Sequence, residues 1–307
     1  MKWIKKGLIF KPEGQFDWVV THAMLPIADR IGDDLYRICF SGRDVLNRSL
    51  IGFMEVNING PQNILRISEK LALGLGALGC FDDSGVTPTW IENYRGKKYM
   101  YYIGWNRGST VRAAEVTGLA VSKDGGETFN RISEAPISDR TAKEPYTIQV
   151  LSCILVENGV WRGWYGSAIK WLNKDLPPYN IKYAEAKDPL CWVREGLTCI
   201  DFKYPNGSRI SRACVRKWNG LYRMWYCCAI GNSGYRIGYG ESKFAHTNWE
   251  RKDQEVGIDV SESGWDSEMI CYPFVFDPKG QIITLYCGNG YGKTGFGYAI
   301  LEDEQGW

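Results

Sequence analysis

Carboxylates brought face to face are the residues of this chain best suited to acid–base chemistry. Two segments align without gaps, Asp83-Ser84-Gly85-Val86-Thr87-Pro88 and Glu268-Met269-Ile270-Cys271-Tyr272-Pro273, and each sets an acid five residues before a proline. Three further segments align with them: Thr21-His22-Ala23-Met24-Leu25-Pro26, Lys143-Glu144-Pro145-Tyr146-Thr147-Ile148-Gln149 and Arg209-Ile210-Ser211-Arg212-Ala213-Cys214. The alignment predicts a ring of His22, Asp83, Glu144, Arg212 and Glu268. Carboxylates meeting in a part-buried funnel repel one another and lose water, which raises the pKa of at least one. A protonated acid beside an ionised carboxylate is the pair that glycoside cleavage uses. Asp83, Glu144 and Glu268 are therefore the candidate catalytic set, with the identity of the acid left open. Arg212 offers a guanidinium to a carboxylate, a phosphate or sugar hydroxyls, and His22 is a second candidate binding residue. Each has a plainer reading: Asp83 as a turn cap, Glu144 as a solvated loop residue, Glu268 as a surface charge, His22 as a core histidine, Arg212 as the partner of a structural acid.

Aromatic side chains give a second hint. Sugar rings lay their C–H faces on Trp and Tyr, which join a large flat apolar area to a polar edge. Trp90, Trp105, Tyr146, Trp171 and Tyr272 lie near the same strand starts or in long connections. Aromatics that pack sheets together are the commoner use of such residues.

These residues converge only if the chain repeats. Strands rich in Tyr and Trp recur at Leu35–Phe40, Tyr99–Gly104, Trp161–Gly166, Tyr222–Cys227 and Ile283–Gly288. A further strand follows each, and its second position falls at 52, 118, 182, 238 and 297, in steps of 66, 64, 56 and 59. The markers Pro26, Pro88, Ser152, Cys214 and Pro273 give steps of 62, 64, 62 and 59. About sixty residues hold four short strands and their turns, with Gly32, Gly96, Gly159, Gly220 and Gly280 marking the first hairpins. Four-stranded units repeated radially make a β-propeller. The expectation is an all-β, five-bladed β-propeller, one domain over residues 1–307, with first strands lining a central channel. Ser122-Lys123-Asp124-Gly125-Gly126-Glu127-Thr128-Phe129 matches the sialidase-type Asp box, a hairpin turn capped by short polar side chains with Phe129 packed inward.

Composition narrows the function classes. The 307 residues carry 37 Lys+Arg against 35 Asp+Glu, a net charge of +2, which offers no bulk attraction to nucleic acid or anionic membrane. No apolar run reaches the roughly 18 residues of a membrane span, and the first eleven residues lack the apolar stretch of a signal peptide. The chain has 10 Cys and 2 His. Cys39, Cys153, Cys214, Cys227, Cys228, Cys271 and Cys287 sit in apolar runs as small buried hydrophobes. No CxxC pair is present, so neither a metal site nor a cofactor is implied, and free thiols fit a cytoplasmic protein. The expected partner is a carbohydrate or sugar conjugate; oligomeric state is open.

The Asp83–Pro88 segment before Tyr99-Met100-Tyr101-Tyr102, and the strand Ile237-Gly238-Tyr239-Gly240-Glu241-Ser242, resemble the five-bladed β-propeller glycosidase superfamily of glycoside hydrolase families 43, 32, 68 and 130. The resemblance spans essentially the whole chain and implies sugar chemistry by axial carboxylates. The hydrolases of families 43 and 32 usually carry an Asp at the first-blade position, where this chain has Thr21-His22; Asp17 and Asp29 flank it. The phosphorylases of family 130 use phosphate held by basic residues, a place Arg212 and His22 could fill. The expected activity is cleavage of a glycosidic bond, by water or phosphate. The alternatives are glycosyl transfer or sugar-nucleotide processing in surface-polysaccharide synthesis, and carbohydrate binding without turnover.

Overall fold

Hairpin chemistry sets the strand pairing. In Tyr94-Arg95-Gly96-Lys97, Glu157-Asn158-Gly159-Val160 and Trp218-Asn219-Gly220-Leu221 both central residues take positive φ (50° and 72°, 51° and 79°, 50° and 75°). The outer residues of each tetrad pair across the ladder. This is the two-residue turn whose twist matches that of the flanking strands, and it favours Asn-Gly.

The computed structural model describes residues 1–203, 208–231 and 233–302 and is all-β. Strand β1 (Trp3–Phe10) opens the chain. Then follow β2 (Thr21–Arg30), β3 (Leu35–Arg43), β4 (Ser49–Asn57) and β5 (Ile64–Ile67); β6 (Gly85–Tyr94), β7 (Lys97–Arg107), β8 (Ala113–Ser122) and β9 (Asn130–Arg131). Next come β10 (Ile148–Glu157), β11 (Val160–Ala168), β12 (Tyr179–Ala186) and β13 (Val193–Ile200); β14 (Ser208–Trp218), β15 (Leu221–Ile230), β16 (Arg236–Ser242) and β17 (Glu250–Arg251). The last are β18 (Cys271–Phe276), β19 (Ile283–Cys287) and β20 (Phe296–Leu301). Each quartet is an antiparallel meander, and β1 completes the last one by pairing with β20, from Trp3 opposite Leu301 to Phe10 opposite Phe296. The first strands touch in cyclic order, β2 to β6 to β10 to β14 to β18 and back to β2. Short parallel bridges splice the third strand of one meander to the first of the next, Ser49 to Gly85, Glu115 to Ile148 and Tyr179 to Arg209. Among the described residues no helix is long and apolar enough to cross a membrane.

A repeated packing device explains the sixty-residue period. The second strands bury Phe40, Tyr102, Tyr165, Tyr226 and Tyr286 completely. These rings pair across the ladder with Gly52, Gly118, Lys182, Gly238 and Gly297. The glycines are there because aromatic rings lie over them: a Cβ on Gly118 would sit 2.2 Å from Tyr102 Cζ, and one on Gly238 2.3 Å from Tyr226 Cε2. At Gly52 the nearest atoms belong to Trp18.

The tyrosine hydroxyls cannot be buried unpaired, and each donates to a carboxylate that also meets a cation. Tyr102 donates to Asp82 (3.0 Å), which holds Arg131 (2.6 Å). Tyr286 donates to Asp266 (3.0 Å), which holds Lys5 of β1 (2.7 Å). Tyr226 donates to Asp253, held by Arg251. In the third meander Tyr165 and Ser167 donate to Glu144, and the lysine that replaces the usual glycine, Lys182, supplies the cation at 2.9 Å.

The cysteines do more than fill space. All ten are free thiols. Cys153 Sγ accepts from the Val215 amide, Cys214 Sγ from Val275 and Cys227 Sγ from Tyr272, so thiols stitch neighbouring meanders through backbone amides. The Asp-box segment forms the expected turn. Ser122 Oγ accepts from Gly126 N, Asp124 accepts from Thr128 N, and Phe129 is buried.

Two substitutions test this packing. Gly118→Ala forces a side chain into the Tyr102 ring and should cost about 1–3 kcal/mol. Glu144→Ala strands Lys182, Tyr165 and Ser167 without their acceptor and should cost about 3–5 kcal/mol. Denaturant unfolding monitored by tryptophan fluorescence reads both; wild-type stability in either variant contradicts the arrangement.

Candidate functional site

Each first strand carries one residue too many at the same height. On β2 the register passes from Met24–Ser41 to Ile27–Cys39; on β6 Thr89 is skipped, on β10 Ser152, on β14 Arg212 with Ala213, and on β18 Tyr272 with Pro273. Every one of these β-bulges lies across from the buried second-strand aromatics. A bulge bends the strand and re-aims a side chain. Here Leu25, Thr89, Ser152, Arg212 and Tyr272 all turn into one cavity of about 320 Å³. Leu25 (φ 47°), Arg212 (φ 55°) and Tyr272 (φ 59°) reach it through left-handed backbone, a conformation bulky residues rarely adopt and one that concentrates at functional sites.

The inter-sheet splices supply the rest of the wall. Ser49, Glu115, Ile148, Tyr179 and Arg209 line it, as do Arg43, Trp105 and Arg107 from the ends of second strands, with Arg112, Tyr235 and Tyr291. Trp105 is fixed by its indole N–H, which donates to Thr87 Oγ1 (3.1 Å). Tyr179 and Tyr235 join through their hydroxyls. Arg209 lies over the Tyr235 ring, 4.9 Å from its centre, and donates to Ser233 O (3.1 Å). Arg212 is 4% exposed. Its Nη1 donates to Thr89 O (2.7 Å) and Ser152 O (2.8 Å), tying the bulges of β6 and β10 together.

Among the described residues that line the cavity, Glu115 is the one carboxylate. Burial raises its pKa against the opposing pull of Arg112, whose Nη2 is 3.9 Å away, and Glu115 Oε1 is buried without a hydrogen-bond partner. A carboxyl in this state keeps its proton to higher pH than an ordinary glutamate, as a general acid requires. Among the described residues no group of three or more His, Cys, Asp or Glu is placed to hold a metal ion.

The residues expected from sequence divide. Arg212, Trp105 and Tyr272 line the cavity. Asp83, Glu144 and Glu268 are not brought together there. Glu144 is 2% exposed and saturated by Tyr165, Ser167 and Lys182, with Arg194 3.5 Å away, so its charge belongs to the packing device rather than to a solvated loop or a funnel. Asp83 accepts from Gly79 N, Ser84 Oγ and Asn106 Nδ2; burial pushes its pKa up, and these hydrogen bonds outweigh it and bring the pKa down. It caps the turn before β6. Glu268 is exposed and is held by its backbone, the amide donating to Asn289 Oδ1. Trp90 packs between sheets against Phe274 and beneath Arg216. Tyr146 and Trp171 pack on the Ile148–Ala168–Tyr179 cluster behind the wall. His22 stands outside the lining, with Nδ1 3.0 Å from Thr21 Oγ1. Sequence reasoning missed Glu115, Arg209, Tyr179 and Tyr235. A usable signal for the packing acids was present: Asp82, Glu144 and Asp266 precede their tyrosines by 20, 21 and 20 residues.

No family model matches the chain. It is 40% identical over 304 residues to "Uncharacterized protein MT1551" of Mycobacterium tuberculosis (strain CDC 1551 / Oshkosh), and 39% identical over 304 residues to "Uncharacterized protein Rv1502" of strain H37Rv; both alignments cover 99% of this chain and 100% of the other. Among solved structures, a protein described as "Glycoside hydrolase" superposes with a TM-score of 0.74 at 17% identity, covering 98% of this chain and 92% of that one. A thermostable family-43 glycoside hydrolase gives 0.68 at 16% identity, covering 94% and 92%. The chain thus shares its all-β fold with these solved glycoside hydrolases.

Partial burial, then Arg43 and Lys293, push the pKa of His22 from 6.5 to about 4. The unfolded chain therefore takes up this proton near pH 6.5 and the native chain only near pH 4. The stability His22 contributes is complete above pH 6.5 and lost as pH falls through 4. Asn tolerates the positive φ of 59° at this position. His22→Asn should therefore narrow the gap between melting temperatures at pH 7 and pH 4.5. An unchanged gap contradicts the assignment.

Proposed function

We infer that this chain, which belongs to one family with the Mycobacterium tuberculosis proteins MT1551 and Rv1502, is a single-domain five-bladed β-propeller enzyme acting on a glycosidic bond in its axial cavity. The observation that carries the reading is the desolvated carboxyl of Glu115 in a cavity walled by Trp105 and four tyrosines. The volume falls within the roughly 300–1,000 Å³ of small-molecule sites, and flat aromatic faces with polar edges suit a sugar ring. The cyclic contact of the first strands supports the closure.

Glu115 is assigned as the general acid. Its O–H gives the proton to the glycosidic oxygen as the bond from that oxygen to the anomeric carbon breaks. Water adds to the carbon, and the proton it releases restores the acid. Trp105 and Tyr272 hold the ring, and Arg212 fixes the floor between two bulges. Asp83, Glu144 and Glu268, expected as the catalytic set, have no role in this step because none lines the cavity.

One observation favours a second reading. Cleavage by paired carboxylates needs two acids flanking the bond, and Glu115 is alone among the lining residues. A carbohydrate-binding propeller without turnover accounts for that equally well.

A panel of aryl glycosides and oligosaccharides separates the two. Turnover in the wild type that drops about 10²–10⁴-fold in Glu115→Gln, with ligand affinity retained, supports the enzyme. Glycan binding with no turnover across the panel supports the second reading. Full activity in Glu115→Gln removes the assignment of the acid.

A further inference from the structure

We propose that the cavity takes an acidic sugar, whose carboxylate or phosphate group is held between Arg212 and Arg209; this rests on the reading that a sugar occupies the cavity. Five arginines line it, at 43, 107, 112, 209 and 212, against one glutamate. Glu115 faces Arg112. Among the described residues the other four guanidiniums have no carboxylate within 4.0 Å. Elsewhere the chain pairs its buried cations closely: Arg37 with Glu55, Arg131 with Asp82, Lys182 with Glu144. A buried charge without a counter-ion is strongly unfavourable, so an anion of fitting shape gains what these arginines lack.

The hydrogen-bond geometry selects that shape. Arg212 spends Nη1 on the carbonyls of Thr89 and Ser152. Its Nε and Nη2 are buried and find no acceptor, and neither does Arg209 Nε. Nε and Nη2 form the side-on fork of a guanidinium, which meets two oxygens of one oxyanion in parallel. A neutral hydroxyl fills at most half of that fork. Arg212 is 4% exposed and Arg209 7%, so the fork is held away from bulk solvent, where charge-assisted hydrogen bonds are strongest. Trp105 in the wall offers a flat face for the ring that carries the anion.

Titration calorimetry on the full chain tests this with D-glucuronate, α-D-glucose 1-phosphate, inorganic phosphate and D-glucose, at low and moderate salt. The expected result is binding of glucuronate or glucose 1-phosphate at least tenfold tighter than glucose, weakening with salt. Preference for glucuronate identifies a carboxylate source, and preference for glucose 1-phosphate a phosphate source. Arg209→Gln and Arg212→Gln should each reduce that affinity at least tenfold. Arg212 also ties two strands, so its variant is checked for folding by circular dichroism; Arg209→Gln, which gives up a carbonyl and a tyrosine contact, carries the test if Arg212→Gln fails to fold. Glucose binding as tightly as either acidic sugar overturns the proposal, as does an absence of binding by both, or phosphate alone matching glucose 1-phosphate. Anion binding without turnover of any glycoside removes the enzymatic reading and leaves this one standing. Turnover of neutral glycosides without anion binding does the reverse.

Discussion

Buried second-strand rings leave no room for a side chain at Gly118 and Gly238, and the aromatic layer they belong to organises the rest of the molecule. Tyr102 and Tyr226 exclude a side chain from the third strand at Gly118 and Gly238, and at Gly297 the Gly7 carbonyl and the Trp265 ring do the same. On the other side the first strand accommodates the same layer by carrying one extra residue. That residue cannot stay in the ladder, so its side chain turns toward the axis. The packing of the sheets and the lining of the cavity are thus one geometric event, repeated around the ring at Leu25, Thr89, Ser152, Arg212 and Tyr272.

The same rings decide where charge goes. A buried phenol needs an acceptor, and a carboxylate serves best when a cation balances it. Asp82, Glu144, Asp253 and Asp266 are committed to this duty inside or beside the sheets, together with Arg131, Lys182, Arg251 and Lys5. Acids are thereby drawn outward from the axis, while Arg209 and Arg212 face it with no acidic partner among the described residues. A chain nearly neutral as a whole thus holds a cationic centre. Net charge is silent on such a division, because it depends on which sheet layer each residue occupies.

Much of the frame was legible in the chain. The period, the strand quartets and the glycine-marked hairpins are local patterns, and the meanders follow them. The site was legible only in part. Arg212, Trp105 and Tyr272 stand near the first-strand markers and line the cavity. The expected acids lie outside the lining for a specific reason: Asp83 and Glu268 stand five residues before Pro88 and Pro273, at the strand start, whereas the bulges turn side chains inward within a residue or two of those prolines. Asp83 and Glu268 therefore end on the rim. Glu144 was reached through a different register and proves to be the third-meander counterpart of Asp82 and Asp266. Glu115 and Tyr179 sit on third strands, and they reach the axis only because parallel bridges at Ile148 and Arg209 splice those strands to the next sheet. Nothing local in the sequence marks a splice.

Arg212 joins the two halves of this argument. One edge of its guanidinium ties the bulges of β6 and β10, strands from two other meanders, while its backbone bulges in a third. Its position is therefore set by three meanders at once, and the free edge is held in place before any ligand arrives. A guanidinium organised in this way loses little conformational freedom on binding, and that loss is a principal cost of holding a ligand with a long side chain. The linkage also runs in the other direction. A ligand on the free edge binds only where the three meanders are already docked, so it stabilises their junction by mass action. A cavity built from the bulges of separate meanders is then at once the least regular part of the ladder and the place where occupancy best holds the ring together.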